Sequence, residues 1–327
     1  MDIKDEGTLT RFAGLQLKWS PGGLEISQAD GIERGTLRYF PQAAGLTPTS
    51  LPATYDGKTR GNSLRNCDRL NGGDSSFRAK YPNYMSFMAL ILYYATMTHG
   101  PLLYTTVFLC RFMDDPNEEC YKAGVALMAC LYHSRHEGIR YERSGWRVPQ
   151  PIREARLETS LSRNYGIYAA PDGAWKLRTD DGMNMTYAGW IIFMLGGAID
   201  FGSRLIKVIC HSSAEAEIAS GCFAGKRCQF VRHLINELKE HGVGDGIEGP
   251  IIFVIDNSAT GPLTSNVGVS KKTEHFLRWQ HYLRWLVYNK YAIVIWVNTD
   301  DETGDVMTKV VPSTTFMKHR KVFYNKI

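Results

Sequence analysis

Apolar residues recur at helical spacing over a long stretch of the first half of the chain, from residue 84 to about residue 140. Pro101 and Pro116 are typical of helix starts, and Gly138 is typical of a helix stop. Before this stretch, residues 8–27 place short apolar runs on both sides of a Ser-Pro-Gly-Gly turn, which predicts a small β-hairpin. The first half is therefore predicted to be mostly α-helical with one hairpin.

The second half has a different pattern, in which short apolar runs alternate with longer helical stretches. Strand candidates are 175–180, 187–195, 205–210, 250–255 and 291–297, and helix candidates are 213–241, 272–290 and a closing segment. Three strands in succession predict an antiparallel meander, and later strands separated by helices are expected to join the sheet in parallel. The element order β-β-β-α-β-α-β-α thus predicts an α/β domain.

A polar connector separates the two patterns. It runs over residues 141–170, contains two prolines and five arginines, and marks the change of periodicity. We therefore predict a first domain over residues 1–150, a linker over 151–167 and a second domain over 168–327. Residues 46–83, rich in Gly, Ser, Pro, Asn and Thr, are predicted to form a long loop within the first domain.

Composition narrows the class of protein. The chain has 327 residues, of which 44% are hydrophobic and 22% charged, as in globular rather than disordered, collagen-like or coiled-coil proteins. The net charge of +5 does not by itself indicate a nucleic-acid binder. The most apolar stretch, residues 84–110, is interrupted by His-Gly-Pro and falls short of the ~20 residues that span a membrane. Seven cysteines, none at the two-residue spacing of zinc ribbons, and a polar N-terminus predict reduced thiols and an intracellular protein, cytoplasmic or nuclear.

Two motifs are set aside because their sequence context is wrong. The tetrad Phe-Met-Asp-Asp at residues 112–115 is similar to the metal-binding tetrad of reverse-transcriptase palms, but a helix start at Pro116 follows it. Asp114 and Asp115 are therefore predicted to be surface residues without a metal role. The glycine-rich segment 242–246 follows a helix and precedes a strand, the reverse of a dinucleotide-binding fingerprint, and is predicted to be a loop.

Four acidic residues of the second half fall at the ends of predicted elements. Asp180 ends the first strand candidate, and Asp256 follows the apolar strand 251–255. Glu217 lies early in the first long helix, and Asp305 opens the last one. Carboxylates gathered at strand ends and helix starts would repel one another unless divalent cations lay between them. The set predicts a site for two Mg²⁺ ions, with Mn²⁺ as a substitute, although each residue alone also fits a turn or cap.

Glu215 and Glu217 cannot face the same site, because two positions along an α-helix differ by about 200°. Ser212 and Glu215 have the spacing of a capping box, which gives Glu215 a structural role at the helix start. Glu217 is therefore the residue of the two that is predicted to act in the site.

The segment Ser212–Glu217, Ser-Ser-Ala-Glu-Ala-Glu, resembles the Ser-Ser-Thr-Glu-Ala-Glu signature of copia-type retrotransposon ribonuclease H domains. Other pieces match that family in order: Thr-Asp at 179–180, the run 189–197, Asp-Asn-Ser-Ala at 256–259, Lys-Thr-Glu-His at 272–275 and Asp-Val-Met-Thr-Lys at 305–309. The resemblance covers the whole second half. It implies a ribonuclease H-like mixed five-stranded sheet with flanking helices.

The resemblance also implies the roles of the acidic residues. Asp180 and Asp256 are expected to be the central metal ligands. Glu217 is expected to hold the metal nearer the leaving group and to contact the RNA 2′-hydroxyl through water. Asp305 would complete the shell of the other metal.

The first half is similar to the segment that precedes this domain in copia-type polyproteins. Phe-Ala-Gly-Leu at 12–15, Leu-Glu-Ile-Ser-Gln at 24–28, the run 86–94 and Arg-Phe-Met at 111–113 with Pro116 follow the family patterns in order. This resemblance implies a reverse transcriptase thumb- or connection-like segment, with the polymerase fingers and palm absent. The missing polymerase portion of a polyprotein is therefore an expected partner.

Two departures from the family pattern concern substrate contacts. The loop after Asp180 is several residues shorter and lacks a basic residue, and Thr-Glu-His at 273–275 replaces the usual Thr-Lys-His. His275 is a candidate for assisting product release, with an ordinary helix-face histidine as the alternative.

Two functional hypotheses follow. The first is a ribonuclease H-type hydrolase, a metal-dependent endonuclease that cleaves the RNA strand of RNA–DNA hybrids. The second is a catalytically silent, retroelement-derived structural or interaction module, motivated by the missing polymerase core and the lost basic residues. Retention of all four carboxylates favours the first, because an idle cluster of like charges is costly to keep together.

Overall fold

The computed structural model describes residues 7–47, 49–56, 61–64, 67, 79–146, 148–175, 186–207, 210–256 and 277–326. In chain order the strands are β1 (Arg11–Phe12), β2 (Leu15–Ser20), β3 (Gly23–Ser27), β4 (Tyr55–Asp56), β5 (Gly61–Asn62), β6 (Ile139–Glu142), β7 (Tyr168–Ala174), β8 (Tyr187–Met194), β9 (Gly197–Leu205), β10 (Ile251–Ile255) and β11 (Ala292–Trp296). The α-helices are α1 (Ala29–Tyr39), α2 (Tyr84–Met97), α3 (Leu103–Cys110), α4 (Glu118–His133), α5 (Gln150–Glu154), α6 (Glu158–Ser162), α7 (Ser213–Glu240), α8 (Leu277–Tyr288) and α9 (Ser313–Tyr324).

The chain divides into two compact units. The first consists of Met1–Gly145 together with Pro312–Lys326, and the second is built on Trp146–Val311. The sequence-based division instead placed the whole segment 168–327 in the second domain. The chain therefore leaves the first unit once and returns to it for its last helix.

The first unit combines a four-stranded antiparallel sheet, in the order β1-β2-β3-β6, with helices. The predicted hairpin is formed by β2 and β3, which pair from Gln16 with Ser27 to Ser20 with Gly23 around a two-residue turn. Helix α4 starts one residue after Asn117, whose side chain accepts a hydrogen bond from the Cys120 N–H at 2.8 Å.

The helical pattern of the first half ends earlier than its periodicity suggested. Helix α4 stops at His133, and β6 pairs with β3 where a further helical turn was expected. A Cβ atom at Gly138 would collide with the side chain of Glu25, so glycine lets the chain enter the sheet there.

The second unit contains the mixed five-stranded sheet that the resemblance implied. The strand order is β9-β8-β7-β10-β11. Strands β7, β8 and β9 form an antiparallel meander, whereas β10 pairs in parallel with both β7 and β11. The predicted fold class is confirmed.

Helices α7 and α8 pack on one face of this sheet. Their contact with it is an apolar cluster that includes Ile192 and Ile251 from the strands, Ile218 and Cys222 from α7, and Leu286 from α8. Burial of these side chains supplies the hydrophobic stabilisation of the unit. A short 3₁₀ turn, Thr303–Met307, packs against β7 and β8.

Two strands of this sheet lie before the positions predicted for them. Strand β7 ends at Ala174, ahead of the candidate at 175–180, whose residues 176–180 lie outside the described residues, and β9 ends at Leu205, where the candidate at 205–210 begins. Both strands are rich in glycine, alanine and polar residues, so they lack the apolar runs that mark strands in sequence.

Two further expectations concern the thiols and the membrane. The seven cysteines, all among the described residues, form no disulfide. Within the described ranges, no helix has both the length and the apolar character needed to cross a membrane.

Candidate metal centre

Strand β7 supplies the central carboxylate of the site. Its sequence, Tyr-Ala-Ala-Pro-Asp-Gly-Ala, consists largely of small residues, and Asp172 is only 2% exposed. A Cβ atom at Gly173 would collide with the backbone carbonyl of Ala216 in α7. Glycine therefore lets the start of α7 approach the strand closely, and this brings Glu217 to Asp172.

Glu217 and Asp256 reach Asp172 from two neighbouring elements. Glu217 lies in the second turn of α7 and is 8% exposed, and Asp256 directly follows β10, which runs parallel to β7. Each of the three residues presents a carboxylate oxygen, and these oxygens all lie within 4.8 Å of one another. Hard oxygen donors at this spacing are the ligands that Mg²⁺ and Mn²⁺ prefer, so the residues present fit a divalent cation.

Burial and the neighbouring charges disfavour negative charge on Glu217 and Asp256. Burial, and then the charges of Asp172 and Asp256, raise the pKa of Glu217 well above its usual value. Burial and the charge of Asp172 also raise the pKa of Asp256, and a hydrogen bond from Thr299 opposes that rise. A bound cation would relieve both costs.

The start of α7 fixes the direction in which Glu217 points. Ser212 accepts a hydrogen bond from the Glu215 N–H at 3.2 Å, and the Glu215 carboxylate accepts one from the His211 N–H at 2.7 Å. The expected capping role of Ser212 and Glu215 is thus present in the structure. Glu215 is held at the helix end, and Glu217 faces the site.

Asp305 lies beside the three carboxylates, on the turn Thr303–Met307. It is 4% exposed, and its Oδ1 atom lies 2.6 Å from Lys309 Nζ. Burial and the charge of Asp172 raise the pKa of Asp305, and the Lys309 ammonium opposes that rise. A Cβ atom at Gly304 would lie 3.0 Å from the Asp172 Cβ, so the turn packs directly on β7.

Comparison with known sequences adds a relationship. No protein-family description matches the chain. The chain is 23% identical over 330 residues, 99% of its length, to the retrovirus-related Pol polyprotein from transposon RE2 of Arabidopsis thaliana. It is 22% identical over 317 residues, 96% of its length, to the corresponding polyprotein from transposon TNT 1-94 of Nicotiana tabacum. The chain is a homologue of the retrovirus-related Pol polyproteins of plant transposons.

The chain spans about a fifth of the length of the curated relatives it matches, 20% of the first and 21% of the second. Two solved structures also align with part of it. RNase H1 of Halobacterium salinarum NRC-1 is 16% identical, with 43% of this chain and 93% of that chain covered and a TM-score of 0.30. The N-terminal RNase H domain of a Mycobacterium tuberculosis protein, solved as a fusion with maltose-binding protein, is 12% identical, with 47% and 96% covered and a TM-score of 0.30.

The predicted site residues have three different outcomes in the structure. Glu217 and Asp256 meet in the site, and Asp305 lies next to it. Asp180 and His275 lie outside the described residues. Asp172 is a site residue that the sequence analysis did not identify. The sequence carries one signal for it: an acidic residue lies among small residues, which is typical of a strand that a helix approaches closely.

Glu302 is a second acidic residue that the sequence analysis did not identify. It is fully buried, and its Oε1 atom accepts a hydrogen bond from the Gly304 N–H at 2.8 Å. Burial, and then the charge of Asp172, raise the pKa of Glu302 well above its usual value. In sequence it is one of three consecutive acidic residues of a polar loop, and no pattern distinguishes it from its neighbours.

A cleft of about 340 Å³ opens onto the site. Asp172, Glu217 and Asp256 line it, and Trp175 and Lys309 are among its other lining residues. The Thr308 hydroxyl donates a hydrogen bond to Asp172 and holds its carboxylate in place. The carboxylates are therefore buried but reachable from solvent.

The acidic pair before α4 has no such surroundings. Asp114 and Asp115 are exposed residues of the first unit, and the described metal-capable group does not include them. Their position agrees with the expectation that they are surface residues.

Proposed function

We propose that the second unit is a ribonuclease H-type nuclease that cleaves the RNA strand of RNA–DNA hybrids in a metal-dependent reaction. The observation that carries this proposal is the convergence of Asp172, Glu217 and Asp256 within 4.8 Å at the centre of a mixed sheet. Homology to Pol polyproteins supports the same role.

In this proposal Asp172 takes the central position that the sequence analysis gave to Asp180. Asp172 and Asp256 would hold the cation from two parallel strands, and Asp305 would complete the acidic rim. Glu217 would lie on the side of the scissile phosphate that carries the leaving group and would contact the RNA 2′-hydroxyl, the group that distinguishes RNA from DNA. A role for His275 in product release remains a prediction.

The donor set indicates which cofactor this site would take. Mg²⁺ is proposed as the physiological ion and Mn²⁺ as its substitute, because all the donors are carboxylate oxygens. When bound, the ions would activate water and stabilise negative charge on the phosphodiester. The chain's own part is to hold the carboxylates of Asp172, Glu217 and Asp256 close enough together to share a cation.

The first unit is proposed to be the thumb- or connection-like segment that links this nuclease to a polymerase portion. Its support is the length of the Pol alignment, which covers 99% of the chain and so includes the first unit. The polymerase portion and an RNA–DNA hybrid are the proposed partners.

Incubation of the full chain with an end-labelled RNA–DNA hybrid and Mg²⁺ tests the function. We expect internal cleavage of the RNA strand only, and at least ~100-fold slower cleavage by Asp172→Asn or Asp256→Asn, since each removes a ligand charge. Asp245→Asn, an exposed carboxylate of the same unit, is the matched control and should cleave at the parent rate.

The silent-module hypothesis makes the opposite forecast. A folded parent chain that leaves the hybrid intact with both Mg²⁺ and Mn²⁺ would refute the nuclease proposal. Equal cleavage by the parent and both site variants would refute it as well, because the activity would then come from elsewhere.

A further inference from the structure

Lys309 places a positive charge among the carboxylates of the site. Its Nζ atom lies 2.6 Å from Asp305 Oδ1 and 4.0 Å from Asp172 Oδ2. Its side chain is 33% exposed, and it lines the same cleft as Glu217 and Asp256. The ammonium therefore bridges two of the acidic residues and still faces the space in which a substrate would bind.

The ammonium stays protonated in this position. Burial lowers the pKa of Lys309, but the charges of Asp172 and Asp305 raise it more, so that the net shift is upward. The side chain is thus a fixed unit charge held by two ion pairs, one of them with a carboxylate that also belongs to the metal-capable group.

The position of the Lys309 ammonium determines where a divalent ion can bind. A cation on the Asp172–Asp305 side of the site would meet the Lys309 ammonium, which already contacts one oxygen of each of these carboxylates. Glu217 and Asp256, with Asp172, form the group that could hold a metal ion within 4.8 Å. The two sides of Asp172 are therefore unequal, one open to a divalent ion and the other already next to an ammonium.

We propose that Lys309 is a resident cation of the site, which takes the place of a second divalent ion on the Asp172–Asp305 side and meets the substrate phosphate there. The inference rests on the proposed nuclease function and changes it in one respect: the free protein binds one divalent ion instead of two. Because a unit charge so near a divalent ion repels it, Lys309 also weakens binding of that ion.

The test measures Mn²⁺ binding to the full chain by titration calorimetry, with melting curves to confirm folding. We expect the parent to bind one Mn²⁺, and Lys309→Gln to bind Mn²⁺ at least ~10-fold more tightly or to gain a second ion, because a repelling charge is gone. Hybrid cleavage by Lys309→Gln should fall by ~100-fold in spite of tighter binding. Lys309→Arg keeps the charge and should bind Mn²⁺ like the parent.

The sign of the change separates this role from a structural one. If Lys309 only held Asp305 in position, its loss would weaken Mn²⁺ binding. Unchanged or weaker Mn²⁺ binding by Lys309→Gln would therefore overturn this inference and leave the nuclease proposal standing. A parent that binds two ions would also overturn it. If neither protein binds Mn²⁺, the nuclease proposal fails together with the inference.

A second pair of variants covers the case in which Lys309→Gln does not fold. Asp305→Asn with Lys309→Gln removes the whole ion pair and is compared with Asp305→Asn alone. The inference requires tighter Mn²⁺ binding by the double variant, and equal or weaker binding would refute it.

Discussion

Replacing Asp256 by Asn should leave the metal-free protein as stable as the parent or make it more stable. The substitution keeps the shape of the side chain and removes one negative charge from a group whose oxygens lie within 4.8 Å of one another. At an effective dielectric constant of 20, two unit charges at this distance repel by about 3.5 kcal/mol. Burial and the charges of Asp172 and Asp256 raise the pKa of Glu217, so only the repulsion between one pair of charges is counted.

The opposing effect is the hydrogen bond that Thr299 donates to the Asp256 carboxylate. Weakening a hydrogen bond to a charged group costs about 1.5–3 kcal/mol. The difference from the relieved repulsion gives a free energy of unfolding between unchanged and about 2 kcal/mol higher for Asp256→Asn in EDTA. With Mg²⁺ the order reverses, because an ion at a hundred times its Kd stabilises the parent by about 2.7 kcal/mol and the variant by much less.

Thermal melts of both proteins in EDTA and in Mg²⁺ measure the two effects, with Asp245→Asn as the control for a charge change at an exposed position. Destabilisation of Asp256→Asn in EDTA, together with a parent whose Tm does not respond to Mg²⁺, would refute the reasoning. Those results would mean that the carboxylates are satisfied by structural partners, as in a silent module.

Two further variants test the surroundings of the site. Because folding raises the pKa of Glu217, the folded state binds its proton more tightly than the unfolded state does; the stability of the metal-free parent should therefore fall as the pH rises from about 4.5 towards the raised pKa. Glu217→Gln should remove this part of the pH dependence in denaturation curves at pH 5, 6 and 7.5, and equal slopes for the two proteins would contradict the assignment. Gly173→Ala should destabilise the chain by roughly 2 kcal/mol or more and weaken Mn²⁺ binding, since the added methyl group pushes α7 away from β7. Gly22→Ala, where a Cβ atom meets open space, is the control, and equal melting of the two glycine variants would show that the close approach is unimportant.

Strands with strong apolar character were predictable almost to the residue. The candidate at 250–255 is β10 (Ile251–Ile255), whose five residues are all buried, and the candidate at 187–195 is β8 (Tyr187–Met194). The positions of Asp256 and Glu217 were predictable for the same reason, since each is a fixed number of residues from an element with a clear sequence pattern. Asp256 directly follows the apolar strand, and Glu217 lies two residues after the capping box.

Strand β7 could not be predicted in this way, and Asp172 was missed with it. Proline is disfavoured inside central strands because it has no N–H to donate. Here Pro171 is tolerated since the pairing of β7 with β10 covers only Tyr168 and Ala169, so the proline lies beyond that ladder. The strand packs against α7, and this tertiary contact produces no periodic pattern in the sequence.

Helix α9 determines where a fragment of the chain can be cut. Its Phe316 and Phe323 are buried, and its Arg320 forms an ion pair with Glu137 at 2.8 Å and donates a hydrogen bond to the carbonyl of Ser50, all within the first unit. A recombinant fragment that begins near residue 146 should therefore stop at Val311. Carried further, it would include α9 without the rest of the first unit and leave Phe316 and Phe323 uncovered, and a fragment ending at Gly145 would lack the same helix. Limited proteolysis between the units would then release no intact first unit, because the peptide that completes it is attached to the other side of the cut.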